Sequence, residues 1–258
     1  MSSGCGLFGV SFEVEREFNL IQDEFDLVGS LPAAEQPEAY RRVAVKYQSL
    51  LDKGIRSGQL YYNQGNAWYY AGERGRAIAA YNLALRYLPS DTRIRANLRF
   101  AGGANDVAGS GFVGGRVAVF EYLFFWQNWV GVYQKVFCSV LFSALFFVVC
   151  VLILFVRKGG RFYRYLYRFI IFWFVVTLVA AISVGYDWYR FDCFSYAVIA
   201  VDDAQPRKGN SEQYDKAFTQ PVPLGTNAIV IGERGEWLHL RFGDKQDAWL
   251  QKSQVVRY

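Results

Sequence analysis

Charge leaves this chain twice. Residues 136–156 are 21 consecutive uncharged positions rich in Phe, Val and Leu, closed by Lys135 on one side and by Arg157 and Lys158 on the other. Residues 169–186 are a second uncharged run, of 18. A helix rising ~1.5 Å per residue crosses a ~30 Å hydrocarbon core with about 20 residues, so the pattern predicts two membrane-crossing helices. The shorter second run also fits a re-entrant or interfacial helix; two spans is the reading adopted.

Before the first run the pattern is helical. Val14, Phe18, Ile21, Phe25 and Val28 are spaced 4, 3, 4, 3, one apolar stripe with acidic residues around it. Gly29, Ser30 and Pro32 break the chain. A second helix is expected from about residue 35 to 53, stopped by Gly54. Residues 102–115 hold six Gly with Ala, Ser and Asn, a flexible tether assigned to 102–116. Residues 117–135 then gather aromatics, among them Trp126, Trp129 and Tyr133. They suit either an interfacial elbow helix at 117–135 or packing against soluble structure.

After the second run the period changes to two. A short apolar run at 196–201, a polar loop to 220 and a turn at 223–226 precede a β-branched segment at 228–231 and clean alternation at 237–242. Leu238, Leu240 and Phe242 are expected inside a small core, with Trp237, His239 and Arg241 on the opposite face. Further short strands follow at 248–250 and 255–256.

Charge sets an expected orientation. Arg157, Lys158, Arg161, Arg164 and Arg168 lie in the connection at 157–168 without an acid, whereas Asp187, Asp192, Asp202 and Asp203 follow the second run against Arg190. Positive residues favour the cytoplasmic side, which puts the connection inside and both ends outside. Met1 begins a segment with no basic n-region and no apolar h-region. The exported amino-terminal part therefore implies an upstream start or translocation without cleavage, unless the orientation is inverted. The formal net charge of +5, in a chain that is 53% hydrophobic and 18% aromatic, gives no reason to expect a nucleic-acid partner.

Residues 58–91 resemble a 34-residue tetratricopeptide repeat, on Gly65, Trp68, Gly72, Ala77, Tyr81, Ala84 and Pro89. Arg74 stands where such repeats usually place an aromatic. The resemblance implies that Gly65 and Ala77 lie at the helix contact, Trp68 and Tyr81 fill the space they leave, and Pro89 ends the second helix. The preceding pair of helices resembles a degenerate repeat, with Val43, Tyr47 and Leu50 in the second-helix pattern, and residues 92–101 resemble a capping helix, so 1–101 is read as an all-α repeat array. Such arrays present a surface and no chemistry. Candidate peptide-binding residues are Asn63, Asn66, Tyr69, Tyr70, Arg93 and Asn97. Asn66, Arg93 and Asn97 fall near positions that some of these domains use to clamp a terminal carboxylate. The alternative is a solvated polar face, or polar residues that tie helix ends together.

Residues 194–258 resemble the bacterial SH3 domain, through Arg207-Lys208-Gly209, Leu224-Gly225-Thr226, Arg234-Gly235-Glu236-Trp237-Leu238 and Trp249-Leu250, with Ala248 in place of the usual Gly. This implies a small all-β barrel whose face, with Trp237, His239 and Arg241, contacts a ligand; packing of Trp237 against the long loop is the alternative. The expected fold class is thus a multidomain membrane protein: repeat array, two-helix transmembrane hairpin, SH3-like barrel. That order resembles the BatE-type proteins of bacterial aerotolerance operons. The resemblance implies an inner-membrane scaffold that assembles with von Willebrand factor A-type membrane proteins of the same operon. Binding of peptidoglycan through the SH3-like face is the second functional expectation.

Catalysis is not expected. His239 is the single histidine and no Ser or Cys motif makes it a triad base. Cys138 and Cys150 lie inside a span, and Cys5 and Cys193 are isolated, with no Cys-x-x-Cys spacing. No phosphate loop, paired carboxylates or zinc motif is present, so neither cofactor nor metal is expected.

Overall fold

The computed structural model describes residues 12–102, 126, 129–156, 159–243 and 246–258. The chain folds as two compact units, one of residues 1–120 with 195–258 and one of residues 121–194. The tether at 103–116, and all of the expected elbow except 126 and 129–135, lie outside the described residues.

The first unit opens with five helices: α1 (Phe12–Val28), α2 (Gln36–Asp52), α3 (Gly58–Tyr70), α4 (Arg74–Tyr87) and α5 (Thr92–Phe100). Local chemistry sets their ends. The Ser57 hydroxyl accepts from the Leu60 N–H at 3.1 Å, capping α3, and Asp91 accepts from the Arg93 N–H, capping α5. Between α3 and α4 the chain reverses at Gly72, whose φ of 81° suits a residue without Cβ. The α1 stripe turns inward, burying Ile21 and Val28 against α2. Gly65 lets α3 and α4 approach closely, since a Cβ there would stand 2.5 Å from the Tyr81 ring. Tyr47, Leu50, Leu60, Ile78, Tyr81 and Ile94 fill the core.

Five antiparallel strands complete the unit: β1 (Ser195–Ile199), β2 (Asn227–Arg234), β3 (Trp237–Arg241), β4 (Asp247–Gln251) and β5 (Val255–Arg257), in the order β4-β3-β2-β1-β5. The register pairs Val230 with Leu240 but Gly232 with His239, so Ile231 bulges. Leu238, Leu240 and Phe242 are buried on one face, as the alternation predicts. The long β1–β2 loop returns along β4, where Arg207 and Trp249 exchange backbone hydrogen bonds at 2.8 Å.

The helical array and the sheet, expected as separate domains on either side of the apolar runs, share this unit. The contact is built by α4. Ala200 lies against Gly75, where a Cβ would come within 2.5 Å of the Ala200 Cβ. The Asn82 Nδ2 donates to Asn227 Oδ1 at 2.8 Å and to the Tyr258 hydroxyl at 2.9 Å, and that hydroxyl donates to Asn227 Oδ1 at 2.9 Å. Val198 is counted in the helical core, while its neighbours Ala197 and Ile199 belong to the sheet's own core. Strand β1 is therefore buried on both faces, which is why residues 196–201 read as a continuous apolar run without alternation.

The second unit holds α6 (Val132–Leu152), continued by a 3₁₀ turn (Ile153–Phe155), and α7 (Arg161–Asp192). Both are long and apolar enough to cross a membrane. The helices run antiparallel, with Phe142 against Trp173 and Phe146 against Phe174. α7 exceeds its uncharged run at both ends, and α6 begins before its own. Arg161, Arg164 and Arg168 stand on the first turns of α7, not in a loop at 157–168, because nothing in 161–168 breaks a helix. At the other end α6 takes in Lys135 and α7 takes in Asp187. Lys135 Nζ donates to Asp187 Oδ2 at 2.7 Å, and both side chains are only 5% exposed. Pairing makes their burial tolerable. Trp126 Nε1 donates to Ser183 Oγ beside them.

Candidate functional site

Helices α1, α3 and α5 stand side by side, joined by side-chain amides. Asn63 Nδ2 donates to Gln22 Oε1, which also accepts from the Tyr47 hydroxyl at 3.1 Å. Asn97 Nδ2 donates to Asn66 Oδ1 at 2.9 Å and to the Tyr62 hydroxyl at 3.3 Å. Asn66 Oδ1 accepts a second hydrogen bond, 2.8 Å long, from the Tyr81 hydroxyl of α4. The opposite side of α4 carries the sheet, so the α1/α3/α5 row is the array's open face.

Aromatic rings shape that face. Tyr70 is 55% exposed and stacks on Tyr40 with centroids 5.0 Å apart, and Tyr40 is packed on Phe25 at 5.1 Å. Tyr69 meets Tyr70 edge-on, at 5.7 Å and 76°. Arg93 spans Asp91, its Nε on Oδ1 at 3.2 Å and its NH2 on Oδ2 at 2.7 Å, with its guanidinium 5.6 Å from the Tyr62 centroid. The hydrogen bonds from Arg93 hold the Asp91 carboxyl below its usual range. Burial pushes the Tyr47 and Tyr81 phenols well above the usual tyrosine value.

The six residues expected to touch a peptide therefore divide. Tyr69, Tyr70 and Arg93 are exposed, and Asn66 and Asn97 are half-buried in the inter-helix network. Asn63, expected on the open face, is buried, because its amide is spent on Gln22 and Gln59. Arg93 does not stand as a bare cation; Asp91 already occupies its fork. The motif residues lie within the array: Ala77 and Ala84 are fully buried, Trp68 is buried under Arg76, whose guanidinium lies 4.7 Å from its ring, and Pro89 follows α4.

On the sheet, the His239 ring lies flat on Trp249, with centroids 4.5 Å apart and planes 1° from parallel. Arg241 pairs with Asp247 in a two-bond fork at 2.8 and 2.9 Å. The Asp247 carboxyl is held below its usual range by those bonds. Across from His239, β2 presents Gly232, which has no side chain. Trp237 and His239 are both half-exposed. The expected face thus exists as a geometric row, and Trp249, which the alternation left unassigned, backs it. Among the described residues no three His, Cys, Asp or Glu gather as metal ligands would.

Reasoning from sequence missed the α4–sheet contact and the buried Lys135–Asp187 pair. A signal existed for the first: Gly75, Ala79 and Asn82 put two small residues and an amide on one α4 stripe, where a solvated helix face would carry charge. Arg74 Nε donates to the Ala101 carbonyl at 3.1 Å, closing the end of α5. No family model, curated protein or solved structure matches the chain.

Proposed function

We propose that this chain is a membrane-anchored, non-catalytic scaffold that holds protein partners on its helical array, in an envelope complex of the aerotolerance type. On this reading α1–α5 are a degenerate and a complete tetratricopeptide repeat with a capping helix, the sheet is an SH3-like fold, and α6–α7 are a two-pass inner-membrane anchor. The observation that carries it is the division of the array: α4 is covered by the sheet, while α1, α3 and α5 leave a row of tyrosines and amides open. Tyrosines suit recognition because they bring large contact area with few rotatable bonds. The unopposed cations between the apolar runs favour a cytoplasmic connection and exported ends. Membrane proteins of the von Willebrand factor A type are the partners this BatE-like arrangement suggests.

A second reading is favoured by the His239–Trp249 stack opposite Gly232: the sheet face binds cell-wall peptidoglycan, and the array reports that contact. In-cell photo-crosslinking separates the two. A crosslinker at Tyr69 is expected to give a discrete adduct with a membrane protein. Glycan adducts at His239 with none at Tyr69 would replace the scaffold reading by the cell-wall one.

A further inference from the structure

The open α1/α3/α5 face carries a donor–acceptor pattern that selects among peptide ligands. Asn66 Oδ1 is filled twice, by the Tyr81 hydroxyl and by Asn97 Nδ2, which fixes both amides. Asn66 is left with its Nδ2 as a donor, and Asn97 with its Oδ1 as an acceptor. The N–H and C=O of one residue in an extended chain, which point to the same side, complement that couple. A carboxylate, which only accepts, would meet Asn97 Oδ1 with like polarity. Arg93 does not reverse this, since Asp91 holds its guanidinium through two bonds.

Tyr69 and Tyr70 lie three and four residues beyond Asn66, about 5–6 Å along α3 at ~1.5 Å per residue. An extended chain advances about 6–7 Å in two residues. A peptide running along α3 with one residue on Asn66 and Asn97 brings a side chain two residues away to the tyrosine pair. The two rings stand 76° apart, and Tyr70 is fixed from behind by Tyr40. Such a corner suits a prolyl ring or an aliphatic side chain.

Resting on the peptide-holding reading of the array, we propose that this face binds an uncharged, extended, internal peptide segment. The Asn66–Asn97 couple reads the N–H and C=O of one extended residue, and Tyr69 with Tyr70 receives a prolyl or aliphatic side chain two residues away. Chain termini are not what it recognises.

The test uses the full chain in lipid nanodiscs and two displayed libraries of short random peptides. In one the peptide is embedded between Gly-Ser spacers; in the other it ends in a free carboxylate. Enrichment is expected from the embedded library, toward uncharged sequences with Pro or aliphatic residues. Synthetic versions with blocked ends should bind equally at low and high salt. Tyr70→Ala, at an exposed position, and Asn66→Asp, which keeps the accepting oxygen but removes the donor, should each weaken binding by about tenfold or more. Thermal unfolding confirms that both variants fold. Enrichment from the free-carboxylate library alone, or binding lost at high salt, overturns this inference and leaves the peptide-holding reading standing. Embedded peptides indifferent to both substitutions also overturn it. Enrichment from neither library overturns the peptide-holding reading itself, and this inference with it.

Discussion

Tyr47 and Tyr81 are almost completely buried, and their hydroxyls tie helices together through Gln22 and Asn66. Each phenol is held protonated, chiefly by burial, with its pKa raised above the unfolded value of about 10. A folded state that binds the proton more tightly than the unfolded chain has its full stability below that unfolded value. It then loses stability as pH rises toward the folded pKa. The array should therefore hold its stability to about pH 10 and melt progressively earlier above it. Denaturant titrations of the full chain in detergent, followed by tyrosine absorbance, check this. Tyr81→Phe removes one ionising group, so its melting should depend less steeply on alkaline pH than that of the parent. Equal slopes would show that the Tyr81 phenol is not the sensitive group.

At the scale of elements, the unexpected contact is α4 against β1 and β5. Asn82 is buried and donates to both Asn227 and Tyr258, so truncating it removes two hydrogen bonds while the one between Tyr258 and Asn227 remains. A hydrogen bond contributes about 0.5–1.5 kcal/mol, so Asn82→Ala should cost about 1–3 kcal/mol. Gly75→Leu should act more strongly, because the added side chain would collide with Ala200. Both substitutions should lower the melting of the array and of the sheet together in scanning calorimetry. A sheet that kept its own unchanged transition would show that the two elements are energetically independent.

Across the whole molecule, the ion pair inside the hairpin sets the largest single effect. Lys135 and Asp187 lie just outside the two uncharged runs and are buried against each other. Removing one partner breaks this buried pair, so Lys135→Met or Asp187→Leu alone should destabilise the hairpin, by up to about 3–5 kcal/mol. The double substitution should fall closer to the parent, because an apolar pair of similar volume avoids the desolvation of both ions. Titration of unfolding with a denaturing detergent reads the difference. Singles as mild as the double would mean that the pair carries no net coupling.

The sequence alone determined the elements. The 4-3-4-3 stripe of α1, the caps Ser57 and Asp91, the turn at Gly72 and the alternation of β3 are short-range devices, and each acts where its residues stand. The two apolar runs likewise located the hairpin, whose helices are long and apolar enough to cross a membrane. Tertiary structure alone decided what those elements touch. Lys135 and Asp187 look like helix-flanking charges until two antiparallel helices bring them within 2.7 Å. Asn63 and Asn66 look like surface polar residues until Gln22, Tyr81 and Asn97 arrive from other helices. Asn82 and Asn227 are 145 positions apart, with the α6–α7 hairpin between them in sequence. Periodicity reports only that a face is buried. What covers that face depends on long-range chain return, which leaves in a single sequence only such faint traces as a glycine at position 75 and an apolar run without alternation in β1.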